Sequence, residues 1–190
     1  GLNPRKNFKL NTLDATNHYI TVRELSGFEV KPTGKTDLVN DRGLGLIQRR
    51  SQLREGDVLF SGTGTIGRTA LVQNNPVDWN IKEGVYALTP KQEAISSRFL
   101  IYLLRSESIR HAILASADGS TVASISMSGL KHIQIPLPSP QIQEQTVTFL
   151  DRFDALVNDL SSGLPAEIAA RRKQYEFYRD RLLSFKELTA

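Results

Sequence analysis

The feature that most constrains this chain is a proline-rich exit, Ile135-Pro136-Leu137-Pro138-Ser139-Pro140, which hands over to two helical segments. Beyond it, Leu150, Phe153, Val157 and Leu160 step by three and four, with Phe149 and Leu156 widening the same stripe. That spacing predicts one amphipathic helix over 141–160. The run Ser161-Ser162-Gly163-Leu164-Pro165 marks a seam, since glycine suits a helix end and proline a helix start. In the second segment Ile168, Tyr175 and Leu182 recur at heptad spacing, with Tyr178 and Phe185 at the intervening positions and Arg171 as the one break. Its outward face, Arg171, Arg172, Lys173, Glu176, Arg179, Asp180 and Arg181, would solvate a helix that projects. Two readings stand side by side: both stripes pack on the chain's own core, or they form a rod whose seam a second molecule satisfies. Helices of about twenty residues run roughly 30 Å and are unstable alone in water. The expectation is therefore a partnered coiled-coil spacer, either a hairpin or a kinked rod.

The first 140 residues read mostly as sheet. Short β-prone runs, Tyr19-Ile20-Thr21-Val22 and Leu44-Gly45-Leu46-Ile47, alternate with the turn clusters Lys31-Pro32-Thr33-Gly34 and Asn40-Asp41-Arg42-Gly43. Asp57 to Ser61 and Thr69 to Gln73 predict two strands joined by a tight glycine-rich turn, and Val85 to Leu88 supplies another. Phe99, Leu100, Leu103, Leu104, Ile109, Ile113 and Leu114 recur at helical spacing, which predicts one long helix over 97–115. Ile133 to Leu137 is expected to return as a strand. The fold class is α+β: a mostly β domain over 1–140 with one long helix, then a C-terminal α-helical coiled-coil spacer over 141–190. The opening Gly1-Leu2-Asn3-Pro4 lacks Met and reads as an excised or processed segment.

Several chemistries are disfavoured. The chain has no cysteine, and His18, His111 and His132 lie far apart, so disulfides and a thiolate or histidine metal site are not expected. Gly62-Thr63-Gly64-Thr65-Ile66-Gly67 satisfies the dinucleotide fingerprint by letter, yet β-prone residues and Pro76 follow where a helix is needed. Those glycines suit a turn with positive φ instead. Gly34-Lys35-Thr36 resembles the end of a phosphate loop, but Glu29 stands where its first glycine belongs. Ser128 and Lys131 have the spacing of an acylating serine motif without its companion triads. No catalytic set, cofactor or metal is expected, and no run approaches a membrane span. Charge is uneven: residues 1–140 hold 17 bases and 12 acids, and 141–190 hold 7 and 8. The surplus permits an anionic partner for the domain.

Taken together, Gly56 to Gly67, the helix from Phe99, Gly119-Ser120-Thr121, Ile135-Pro136-Leu137-Pro138 with Gln143-Glu144-Gln145, and the run from Phe153 to Phe185 resemble the specificity subunit of type I restriction-modification systems. The most specific part is Phe153 to Leu160, through Pro165-Ala166-Glu167-Ile168, to Tyr178-Arg179-Asp180-Arg181-Leu182-Leu183, which is similar to that family's helical spacer. The resemblance implies a non-catalytic prokaryotic, cytoplasmic protein. It implies a target recognition domain that reads a few bases of double-stranded DNA, and a spacer that pairs with another spacer and docks modification and restriction subunits. Family members usually carry two domains and two spacers, so a single copy reads as a half-subunit or a fragment.

On that reading, Lys35, Arg42, Arg49, Arg50 and Arg68 lie in or beside predicted turns, where arginine can fork onto guanine or phosphate. Ser120 and Thr121 are candidate phosphate donors. Leu150, Phe153, Val157, Leu160, Ile168, Tyr175, Tyr178, Leu182 and Phe185 are the candidate self-association seam. The rival reading is a coiled-coil protein–protein adaptor without DNA specificity.

Overall fold

The computed structural model describes residues 3–117, 123–159 and 165–185. A short helix α1 (Pro4–Asn7) precedes β1 (Asn17–Ile20), a two-residue hairpin of β2 (Leu25–Ser26) and β3 (Glu29–Val30), β4 (Leu38–Val39) and helix α2 (Asp41–Gln48). Then come β5 (Val58–Ser61), β6 (Thr69–Leu71), β7 (Trp79–Ile81) and β8 (Val85–Leu88). Helices α3 (Ser97–Arg105), α4 (Glu107–Ala115), α5 (Met127–Lys131), α6 (Pro140–Asp159) and α7 (Pro165–Leu183) complete the chain.

Strand β5 is the hinge of the architecture because all four of its residues are buried. Side chains of a strand alternate between faces, and here each face meets a different core. Val58 and Phe60 join Phe99, Leu103, Ile109 and Ile113 of the helical layer, while Leu59 meets Ile20, Ile81 and Val85. The β6–β5–β8 sheet is antiparallel, with Phe60 opposite Thr69 and Tyr86. The other sheet, β4–β1–β7, pairs β1 antiparallel to β4 and parallel to β7. Beneath it Tyr19, Val39, Leu44 and Ile47 form a third apolar cluster, with Phe8 edge-on to Tyr19.

The expected β5–β6 hairpin is present, and its glycines are needed for two reasons. Gly64 and Gly67 hold φ of 76° and 91°, a region costly for residues with a Cβ. A Cβ on Gly62 would stand 2.2 Å from Tyr86 Cε2, on the ring whose hydroxyl donates to Ile125 O at 2.8 Å. The dinucleotide fingerprint is thus a hairpin turn followed by a strand.

Four expectations are corrected. Residues 44–47 are helical: Asn40 Oδ1 accepts from Gly43 N at 3.0 Å and caps α2, and Leu44 and Ile47 fall on its buried side. The helix over 97–115 is two helices, because Ser106 leaves helical geometry at ψ 151° while its hydroxyl donates to Leu103 O. Residues 133–137 do not form a strand, since Pro136 and Pro138 remove ladder donors.

The fourth correction concerns the tail, which does not project. Helix α7 folds back along α6 as a hairpin in which Phe153 stacks on Tyr175 and meets Tyr178. Both helices contact α3. Leu150, Tyr175 and Leu183 are buried in the same cluster as Phe99 and Leu103, with Phe153, Leu182 and Phe185 packed against it. Complete burial of one such leucine is worth about 1.5–3 kcal/mol, so most of the predicted seam is satisfied within the chain.

Candidate nucleic-acid interface

Lys35 stands on a turn held by threonine side chains. Thr33 N donates to Thr36 Oγ1 and Lys35 N to Thr33 Oγ1, while the Thr36 hydroxyl donates to Glu24 Oε1 at 3.2 Å. Glu24 is buried and also accepts from Thr21 N and Oγ1. A buried carboxylate thus anchors the turn that displays the exposed ammonium.

Arg42 lies in the first turn of α2, and Arg49 and Arg50 at its C-terminal end, all exposed. Arg42 and Arg49 are seven residues apart, hence on one helical face. Arg68 belongs to the other sheet, where it ends the β5–β6 turn and directs Nη1 to Val22 O at 3.5 Å. Among the described residues, none of Lys35, Arg42, Arg49, Arg50 and Arg68 forms an ion pair. They belong to three different parts of the fold, the β3–β4 turn, α2 and the β5–β6 turn. Ser120, Thr121 and Leu160 lie outside the described residues. Val157 and Ile168 fall on the helices, with undescribed side chains.

Arg68 instead shares a cleft with Arg105, Arg110 and Arg179, together with Glu176. These arginines come from the β5–β6 turn, α3, α4 and α7. Sequence reasoning missed three of the four, because no local pattern links positions brought together only by packing α7 against α3 and α4.

The tail is bonded to the domain as well as packed on it. Arg98 on α3 pairs with Asp151 on α6, which also accepts from the Tyr102 hydroxyl at 2.6 Å. The Arg98 guanidinium lies 4.3 Å from the Phe28 ring centroid. Burial pushes the Tyr102 hydroxyl up from its ordinary value, and the bond to Asp151 adds to that shift. Buried Gln143 accepts from Ser96 N and donates to Ala94 O and Pro138 O. Asp180 on α7 accepts from Glu107 N at 3.0 Å, capping α4 where Ser106 supplies no side-chain cap.

Residues left outward form a different strip. Phe149, Phe177 and Tyr178 are exposed large apolar side chains. Phe149 and Tyr178 each contact the Phe153 ring, and Phe177 contacts Tyr178. Among the described residues there is no group of three or more His, Asp or Glu that could hold a metal, and no helix long and apolar enough to cross a membrane.

The model of the type I restriction modification DNA specificity domain family matches residues 6–170. The chain belongs to this family. It is 37% identical over 105 residues to the EcoR124I/EcoR124II specificity subunit of Escherichia coli, covering 55% of this chain and 26% of that protein. It is 36% identical over 141 residues to the EcoprrI specificity subunit of the same species, covering 70% and 34%. The chain thus spans about a quarter to a third of the length of these curated relatives. A chain from a structure on complex assembly and conformational transition of the type I R-M system superposes with a TM-score of 0.60 at 19% identity, over 96% of this chain and 41% of that one. The HsdS subunit from Thermoanaerobacter tengcongensis does so with 0.53 at 16%, over 83% and 38%. At those identities the likeness is one of fold, mixed α/β with helices and small sheets.

Proposed function

We propose that this chain is a non-catalytic DNA sequence-recognition unit of a type I restriction-modification complex, reading one half of a bipartite target. The family match over residues 6–170 carries this reading. Lys35, Arg42, Arg49, Arg50 and Arg68, exposed and without an ion pair among the described residues, support it, since cations not neutralised by neighbouring acids are available to phosphate and to base edges. Lys and Arg at phosphates place the domain and supply salt-sensitive affinity; a few side chains at base edges choose the sequence. The helical hairpin docks modification and restriction subunits or a second recognition half, and the exposed strip of Phe149, Phe177 and Tyr178 is the surface that suits it. Aromatic residues on an outward helix face are characteristic of protein interfaces.

Selection from a randomised duplex library by the chain assembled with its modification subunit tests the reading. Enrichment of a short motif in two spaced half-sites is expected. The chain alone should bind weakly, because three or four base pairs at about 1–3 kcal/mol each give little selectivity. Nanomolar, sequence-selective binding by the monomer contradicts the half-site role. Salt-insensitive association with duplex, or none, favours the adaptor reading.

A further inference from the structure

The cleft that joins the β5–β6 turn to α3, α4 and α7 gathers four arginines, Arg68, Arg105, Arg110 and Arg179, with Glu176 in its lining, while Asp180 pairs with Arg179 beside it. Three of them are oriented by the fold. The Arg105 guanidinium lies 5.7 Å from the Phe28 ring centroid, and its Nη1 is 3.6 Å from where a Cβ on Gly27 would sit. Arg179 is held in a fork by Asp180, at 3.1 Å from Nε and 3.3 Å from Nη2, and lies 5.8 Å over the Tyr175 ring. Arg68 reaches Val22 O. Arg110 is exposed and makes no ion pair among the described residues. Beside Arg105 and Arg179, the Tyr175 hydroxyl is buried without a hydrogen-bond partner among the described residues.

Four arginines against Glu176 and Asp180 leave a surplus of positive charge in one cleft, and the repulsion among like charges is relieved when an anion fills the space. Guanidinium forks match phosphate oxygens bidentately, and forks already oriented by aromatic rings and a carboxylate lose little entropy on binding. We propose that this cleft clamps one backbone phosphate of the DNA, with Arg110 closing on it and Arg68, Arg105 and Arg179 forming its walls. The inference rests on the DNA-recognition reading and adds its geometry. Because the clamp spans the sheet domain and α7, a phosphate held there sets the direction in which the helical hairpin leaves the duplex. A phosphate contact carries no sequence information, so the clamp positions the domain and does not choose bases.

The test is fluorescence anisotropy of the full chain on random-sequence duplex across a salt series. Arg110→Gln, an exposed change that leaves the fold intact, is expected to weaken binding alike on all sequences. It should also lower the slope of log K against log salt by about 0.9, the value for one lost phosphate contact. Arg68→Gln should do the same, and Lys9→Gln and Lys91→Gln, outside the cleft lining, should do neither. A wild-type slope that both cleft variants retain overturns the clamp while leaving DNA recognition standing. Absence of any salt-sensitive binding by the wild type overturns the recognition reading and the clamp together. Retained DNA slopes with lost binding of a poly-glutamate probe would reassign the cleft to an acidic protein partner and also overturn the phosphate assignment.

Discussion

The carboxylate of Asp151 on α6 grips the guanidinium of Arg98 on α3 at two points, Nε donating to Oδ2 at 3.1 Å and Nη2 to Oδ1. This fork fastens a tail that also buries Leu150, Tyr175 and Leu183 in the domain's core. Tyr102 adds a third donor to the same carboxylate. Asp151→Ala is expected to destabilise the chain by about 1–2 kcal/mol, the lower range for a charged hydrogen-bonded pair because both partners keep solvent contact. A double-mutant cycle with Arg98→Ala, read by urea unfolding, should show coupling of about 1 kcal/mol. Strict additivity would mean that the fork is incidental.

Because α6 and α7 complete the cluster around Phe99, a chain ending at residue 139 should not fold as an independent domain. Far-UV circular dichroism should show no cooperative thermal transition, and a hydrophobic dye should bind. A sharp transition at the full chain's midpoint would support a division into domains at residue 140.

The tyrosines predict loss of stability in alkali. Burial, then the nearby Glu83 charge, pushes the Tyr19 hydroxyl above its usual 10.0. Burial, then the bond to Asp151, raises Tyr102 above the same 10.0. With folded values above unfolded ones, the contribution is fully present below about pH 10 and is lost as pH climbs toward the folded values, since the unfolded chain releases these protons first. Denaturant midpoints should hold up to about pH 10 and fall beyond it. Tyr19→Phe should flatten that decline. A midpoint unchanged in strong alkali would mean that both hydroxyls ionise as freely in the folded chain as in the unfolded one.

Self-association should be carried by the exposed aromatic strip and not by the buried positions. Phe177→Asp and Tyr178→Asp are expected to leave the melting temperature within a few degrees and to lower the molar mass measured by light scattering. Tyr175→Asp should instead cost about 3 kcal/mol or more, since it places a charge among the core residues around Phe99. A mass unchanged by both strip variants in an oligomeric wild type would move the interface elsewhere.

Much of the local structure was legible in the chain. The spacing of Leu150, Phe153 and Val157 and the proline at 165 announced two helices, and the glycines between Ser61 and Arg68 announced a turn between strands. Where reading by pattern failed, the signals were ambiguous at short range. Leu44-Gly45-Leu46-Ile47 suits strand or helix, and Asn40 decided it by capping from outside the run. Ser106 broke a helical pattern that continued through it, because apolar period records burial and not backbone continuity.

Among the candidate site residues, the exposed positions of Lys35, Arg42, Arg49, Arg50 and Arg68 follow from turn and helix-end chemistry that the chain displays locally. By itself the sequence determined the two tail helices, the β5–β6 hairpin and the family. Only the tertiary structure decided that the tail's seam closes on Phe99 and Leu103 of the same chain, and that Arg68 lines one cleft with Arg105, Arg110 and Arg179. The physical reason is that hydrophobic burial has no direction: a stripe states that it must be covered without naming the surface that covers it. Charges brought together by that packing carry no trace of one another along the chain.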